Sequence, residues 1–284
     1  MTAARTDLAL EQATSLAPEE AIPITRRGKA FRISELCITD KALSERIGRG
    51  LGRYITLECD RLSHSSDGLQ AQAEELAAEI AKLLPDGAIL VVGLGNADIT
   101  PDALGPATAG KILATRHLRR ELQTNDPGME YLRSLRPVSV LANGVLGQTG
   151  IEAAELAMAL RDTVKPAAVI AVDALACSDI SRLGCTIQIS DAGISPGSGV
   201  QNRRQALNRA TLGVPVIAIG VPTVVDMHTI VRHYTDFHGD TLPNMMVTPR
   251  DIDQLIAHAA KLIGYGINLA MQPTMNFADL ENLA

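Results

Sequence analysis

Short apolar runs punctuate this chain, and between them apolar residues fall at helical spacing. Phe31–Thr39 and Tyr54–Glu58 alternate apolar with polar positions, as half-buried strands do. Ala88–Val92, Pro137–Ala142, Ala167–Val172, Thr186–Ser190 and Val214–Gly220 read as further strands, most of them nearly continuous in Val, Ile, Leu and Ala. Leu69–Leu84 has a helical period and stops at Pro85-Asp-Gly87. A helix is predicted from about Pro101 to Leu118, with Thr100 as N-cap and Pro101 in the first turn. Others are expected over Ile151–Asp162, near 203–211, near 223–233 and over 250–271, the last opened by Thr248 and Pro249. Asn125–Gly128 reads as a turn.

Strands alternating with helices predict an α/β fold: a doubly wound, largely parallel central sheet flanked by helices. Residues 1–30 are polar and turn-rich and read as a partly ordered arm, leaving 31–284 as a single α/β domain without internal repeats. Aromatics make up only 2% and Trp is absent, so the core must be aliphatic and stacking platforms for single-stranded nucleic acid are few. A formal net charge of -6 argues against a duplex-binding surface. No apolar run reaches the roughly 18–20 residues that span a bilayer, and the N-terminus lacks a signal-peptide core, so a cytoplasmic location is expected. Cys37, Cys59, Cys177 and Cys185 form no CxxC pair, which supports neither a zinc ribbon nor a redox motif.

Several motifs fail on inspection. Gly93-Leu-Gly95 lacks the third glycine of a dinucleotide fingerprint, and Asp98 in its place would repel pyrophosphate. Gly193-Ile-Ser-Pro-Gly197 matches a nucleophile elbow, but Pro196 has no N–H for the oxyanion hole. His228, His233 and His238 are spaced by five and do not share a helix face, so no metal site is expected. Asp191-Ala-Gly193 resembles the Asp-Thr/Ser-Gly of all-β aspartic proteases, and Asp191 stays a second-rank candidate. Asp102 and Asp173 remain. Each follows an apolar strand and is set among small residues, where an open α/β sheet places its crevice. Two close acids can share a proton, one activating water and the other protonating a leaving amine.

At these residues the chain resembles the germination proteases of spore-forming bacteria. The similar segments are Arg5–Glu11, Gly93–Pro106, Gly144–Glu152, Ala171–Ala176, Asp191–Val200, Gly213–Asp226 and Val247–Asp253. Asp191-Ala-Gly replaces the usual Asp-Thr-Gly, and Cys177 and Cys185 are untypical. The resemblance implies an atypical aspartic endopeptidase, with Asp102 and Asp173 as catalytic acids and a fold similar to the hydrogenase-maturation peptidases. It implies no cofactor, small acid-soluble spore proteins as substrates, a homotetramer in the forespore or spore core, and a zymogen that removes its own N-terminus. Thr6-Asp7-Leu8-Ala9 has the order of a spore-protein site, so cleavage is expected between Asp7 and Leu8, freeing residues 1–7. A metal-dependent peptidase of the same fold and a non-catalytic spore-protein-binding module are the alternatives.

Overall fold

The structure, a computed structural model, describes residues 6–64, 68–118, 130–142, 144–197, 204–235 and 242–283. The strands are β1 (Ile24–Arg27), β2 (Arg32–Ile38), β3 (Gly52–Glu58), β4 (Ile89–Gly93), β5 (Val138–Ala142), β6 (Ala168–Cys177), β7 (Thr186–Ser190), β8 (Val216–Asp226) and β9 (Met246–Val247). They form one 9-stranded sheet in the order β1-β2-β3-β7-β8-β6-β4-β5, with β9 added beside β8. The helices that frame the sheet and the site are α1 (Ala9–Leu16), α2 (Lys41–Ile47), α3 (Leu69–Ala81), α4 (Leu104–Ala109), α5 (Ala153–Val164), α6 (Met227–Tyr234) and α7 (Ile252–Met271).

The sheet is mixed, which corrects the expectation of a largely parallel one. β5, β4, β6 and β8 run parallel, whereas β1, β2, β3, β7 and β8 pair antiparallel in succession, as do β8 and β9. Connection length accounts for one part of the difference. Only Ser178–Cys185 separates β6 from β7, too short for a parallel crossover, which needs a dozen or more residues. The sequence alternates apolar and polar residues near 31–39 and 54–58, although β3 is buried on both faces from Tyr54 to Leu57.

Aliphatic packing holds the layers. α3 and α7 cover one face, burying Leu76, Ile80, Ile263 and Ile267 with Ile89, Val91 and Ile170. On the other face Ala154 and Ala157 of α5 close over Leu90, Val92, Val169 and Ala171. Each such Leu, Ile or Val contributes about 2 kcal/mol when removed from water. Residues 9–16 and 24–27 of the expected arm are a helix and an edge strand, with Ala9 and Ala13 packed on Leu36, Ile38 and Tyr54.

The helix expected over 101–118 is broken. Thr100–Asp102 form a 3-10 turn, α4 covers only Leu104–Ala109, and the chain is then drawn out to distant partners. Leu113 N–H donates to Asn268 Oδ1 at 2.9 Å, and Thr115 and Arg116 N–H to the Val138 carbonyl at 3.1 and 3.0 Å. The helix expected near 203–211 is the single turn Arg209–Leu212, and α7 begins at Ile252 behind Asp251 rather than at Thr248. The turn expected at 125–128 lies outside the described residues. No described helix is long and apolar enough to cross a membrane.

Candidate active site

β4 and β6 are parallel neighbours, so the loop leaving β4 lies beside β6. Gly95 turns that loop at φ +114°, and a Cβ there would stand 2.0 Å from the Asp102 carbonyl oxygen. Glycine is thus required both for the conformation and for the close approach. The Asn96 N–H donates to Asp102 Oδ2 at 2.8 Å. Thr223 Oγ1 of β8 donates to the Pro101 carbonyl at 2.7 Å, which ties the Asp102 turn to the sheet. Burial raises the Asp102 pKa above its ordinary value, opposed by the Asn96 hydrogen bond.

Asp173 lies inside β6, not at its end, because Ala174–Cys177 continue the strand. It is 5% exposed, and its Oδ1 accepts from the Ala174 N–H at 2.9 Å. Burial holds its pKa well above the usual carboxylate range. The negative charges of Asp102 and Asp7 push it in the same direction.

Asp102, Asp173 and Asp7 border one cavity of about 530 Å³, with Arg204, Thr223 and Met246 also on its wall. Asp7 reaches it because the N-terminal segment docks against β6. The Asp7 N–H donates to the Ala176 carbonyl at 2.8 Å, and the Ala176 N–H returns a bond to Asp7 Oδ2 at 2.9 Å. Arg49 donates to the Thr6 carbonyl at 2.7 Å and lies 4.0 Å from Asp7 Oδ1. Leu8 is fully buried against Leu175, Cys177 and Val225. The segment is further anchored by Glu11, whose carboxylate accepts from Ser178 N–H, Ser178 Oγ and Asp179 N–H at 2.7, 2.6 and 3.1 Å.

Asp191 is not brought to this cavity. It is exposed beyond β7, where its Oδ1 accepts from the Arg53 N–H at 2.7 Å. His228 Nδ1 lies 3.2 Å from Asp226 Oδ1, His233 packs edge-on against Tyr234, and His238 lies outside the described residues. Among the described residues no group of three or more His, Cys, Asp or Glu is placed to hold a metal ion. A larger hollow of about 850 Å³, walled by Arg27, Arg32 and Arg61, contains neither Asp102 nor Asp173. The smaller cavity is the candidate because it gathers buried carboxyls whose pKa values are raised.

Residues 11–242 match the family described as Germination protease. The chain belongs to the germination protease family. The germination protease of Caldanaerobacter subterraneus subsp. tengcongensis is 40% identical, over 98% of this chain and 97% of its own length. That of Clostridium perfringens is 36% identical over 88% of this chain and 87% of its own. That of Bacillus subtilis is 43% identical over 82% and 66%. As a germination protease the chain is a peptidase. Two residues that grip its N-terminal segment, Arg49 and Gln188, belong to no motif. The only signal was the alternation in Thr186-Ile-Gln-Ile-Ser190, which sets Gln188 opposite Ile187 and Ile189.

Proposed function

We propose that this chain is an endopeptidase made as a zymogen, which cuts its own N-terminal segment between Asp7 and Leu8 and then degrades small acid-soluble spore proteins during germination. The observation that carries the reading is the position of Asp7 on the wall of the cavity that Asp102 and Asp173 share. A segment tethered there has a high effective concentration and occludes the cavity until it is cut.

In this reading the ionised member of the Asp102–Asp173 pair takes a proton from water as the oxygen attacks the Asp7 carbonyl carbon. The protonated member then gives its proton to the Leu8 nitrogen as the peptide bond breaks. The products are a carboxylic acid on Asp7 and an amine on Leu8, and the pair again holds one proton between its two members. Burial of both acids, and the charge of Asp102 on Asp173, favour a shared proton, as in other paired carboxylates. The pair titrates as a unit, so base and acid are roles of the pair. The same reading includes a cytoplasmic enzyme of the forespore, a homotetramer and a fold akin to the hydrogenase-maturation peptidases.

The test is incubation of the purified full chain, alone and with a peptide of the order Thr-Glu-hydrophobic-Ala. Expected are a new N-terminus at Leu8 and a cut after the acidic residue, both persisting in excess chelator. A first residue well beyond Ala13, or cleavage that stops on chelation, would overturn the proposal.

A further inference from the structure

One register row crosses the sheet from β7 to β6. Gln188 pairs with Gly220, and Gly220 pairs with Asp173. Directly paired residues point to the same face of a sheet, so Gln188 and Asp173 project together from backbones ~10 Å apart, two strand spacings. Between them Gly220 has no side chain. The N-terminal segment crosses this gap, bonded to Ala176 on β6 and to Gln188 on β7, and Asp7, Gln188 and Gly220 border a common small cavity.

Gln188 is 9% exposed and its side chain makes two bonds to the segment. Its Nε2 donates to the Asp7 carbonyl at 3.1 Å, and its Oε1 accepts from the Ala9 N–H at 2.7 Å. The two partners fix the amide orientation, since a carbonyl needs a donor and an N–H an acceptor. Donating to one residue's carbonyl and accepting from the N–H two residues on is how a neighbouring strand's peptide grips a backbone. The grip reads no side chain, so it is open to any extended peptide in this register.

We propose that Gln188 polarises the carbonyl of the bond to be cut, in the arm and in substrates that take its place, and sets their register over the acids. This rests on the reading of Asp7–Leu8 as the scissile bond. As water adds, the carbonyl oxygen gains negative charge. A donor already aimed at it from a buried position stabilises that charge without reorganisation. The acids supply and remove protons, and Gln188 holds the oxygen.

The Gln188→Glu variant tests this directly. It keeps the acceptor toward the Ala9 N–H, but its carboxyl donates to the carbonyl only while protonated. On the spore-type peptide its kcat is expected to acquire a new falling limb as pH rises, ending on the order of 10²-fold below wild type, with KM little changed. Gln188→Leu, which has no donor, is expected to lose a similar factor at every pH. Thermal melting of both variants reports whether the fold is kept. A Gln188→Glu kcat within threefold of wild type across the pH range overturns the proposal, as does a loss that tracks melting and shows no new limb. N-terminal sequencing of the wild-type chain separates the two readings. If wild type does not cut at Asp7–Leu8 the parent reading fails and this proposal falls with it. If wild type cuts there and Gln188→Glu behaves like wild type, only the role of Gln188 fails.

Discussion

The two halves of the sheet differ in what they bury. In the parallel half, β4 and β6 are aliphatic and shielded on both faces, and the only carboxyl in either strand is that of Asp173. In the antiparallel half, one polar row runs across four strands through Thr25, Ser34, Thr56 and Gln188, then meets Gly220 and Asp173 in the parallel half. Ser34, Thr56 and Gln188 are all buried. The parallel half thus holds a carboxyl in a dry setting that raises its pKa. The antiparallel half lays down a row of neutral hydrogen-bonding groups, and its last member, Gln188, holds a peptide backbone. The buried acid and the Gln188 grip lie on strands of different type, and the N-terminal segment spans the seam, bonded to Ala176 on one side and Gln188 on the other.

The strongest way to break that contrast is to neutralise the acids. Asp173→Asn and Asp102→Asn are each expected to lower cleavage of self and of peptide on the order of 10³-fold or more, measured by mass analysis of fragments. The fold should survive. Asp173→Asn should also melt higher than wild type at pH 7, because it removes a carboxyl that burial disfavours when charged. A variant with near wild-type cleavage would remove that residue from the pair.

The seam itself is tested by Gly220→Ala. An added Cβ would meet Leu175 Cγ at 2.6 Å and the Asp173 carbonyl oxygen at 2.8 Å. Backbone cannot yield there as a flexible side chain would, so a cost of about 1–3 kcal/mol is expected, with slower self-processing. Unchanged melting and processing would show that the segment does not need the gap.

Glu11→Ala isolates the anchoring of the segment from the chemistry. It leaves the Ser178 and Asp179 N–H groups without their carboxylate. Loss of these charge-assisted bonds is expected to cost about 2–3 kcal/mol, read by urea unfolding. Self-processing should slow more than cleavage of an added peptide, since only the former depends on the docked α1. Equal slowing of both would mean that α1 shapes the site itself.

The legible part of this molecule was its parallel half. Aliphatic runs such as Ile89–Val92 have one stable use, a strand covered on both faces, and the loop residues around Asp102 stood out against them. The strand beyond Asp173 was hidden, because a carboxylate normally ends an apolar run and only its environment permits it inside one. Pairing direction was hidden for another reason. It depends on which strands meet, and Ser178–Cys185 is too short to hold a crossover helix, a constraint visible only once β6 and β7 are both delimited. Gln188 and Arg49 act through backbone atoms of residues 6–9, about 180 and 40 positions away, and such contacts leave no local pattern.

The smallest expected effect is a matter of sign. Asp173 has a folded-state pKa above its ordinary 3.8, raised by burial and by the charges of Asp102 and Asp7. An acid shifted upward contributes no penalty at pH values below its unfolded pKa, where it is protonated in both states. As pH rises the unfolded chain ionises first, so stability falls until the folded pKa is passed and is constant above it. Asp7→Asn removes one of the charges opposing ionisation, so its benefit should be larger at a pH above the folded pKa of Asp173 than at pH 3.5. In the Asp173→Asn background that difference should disappear, because no carboxyl remains at 173 to respond. Urea unfolding of the two single variants and the double variant at both pH values measures the coupling as a double-mutant cycle. A pH-independent effect of Asp7→Asn in both backgrounds would mean that Asp7 acts only through its bonds to Ala176, and that the segment and the acid of the parallel half meet without sensing each other's charge.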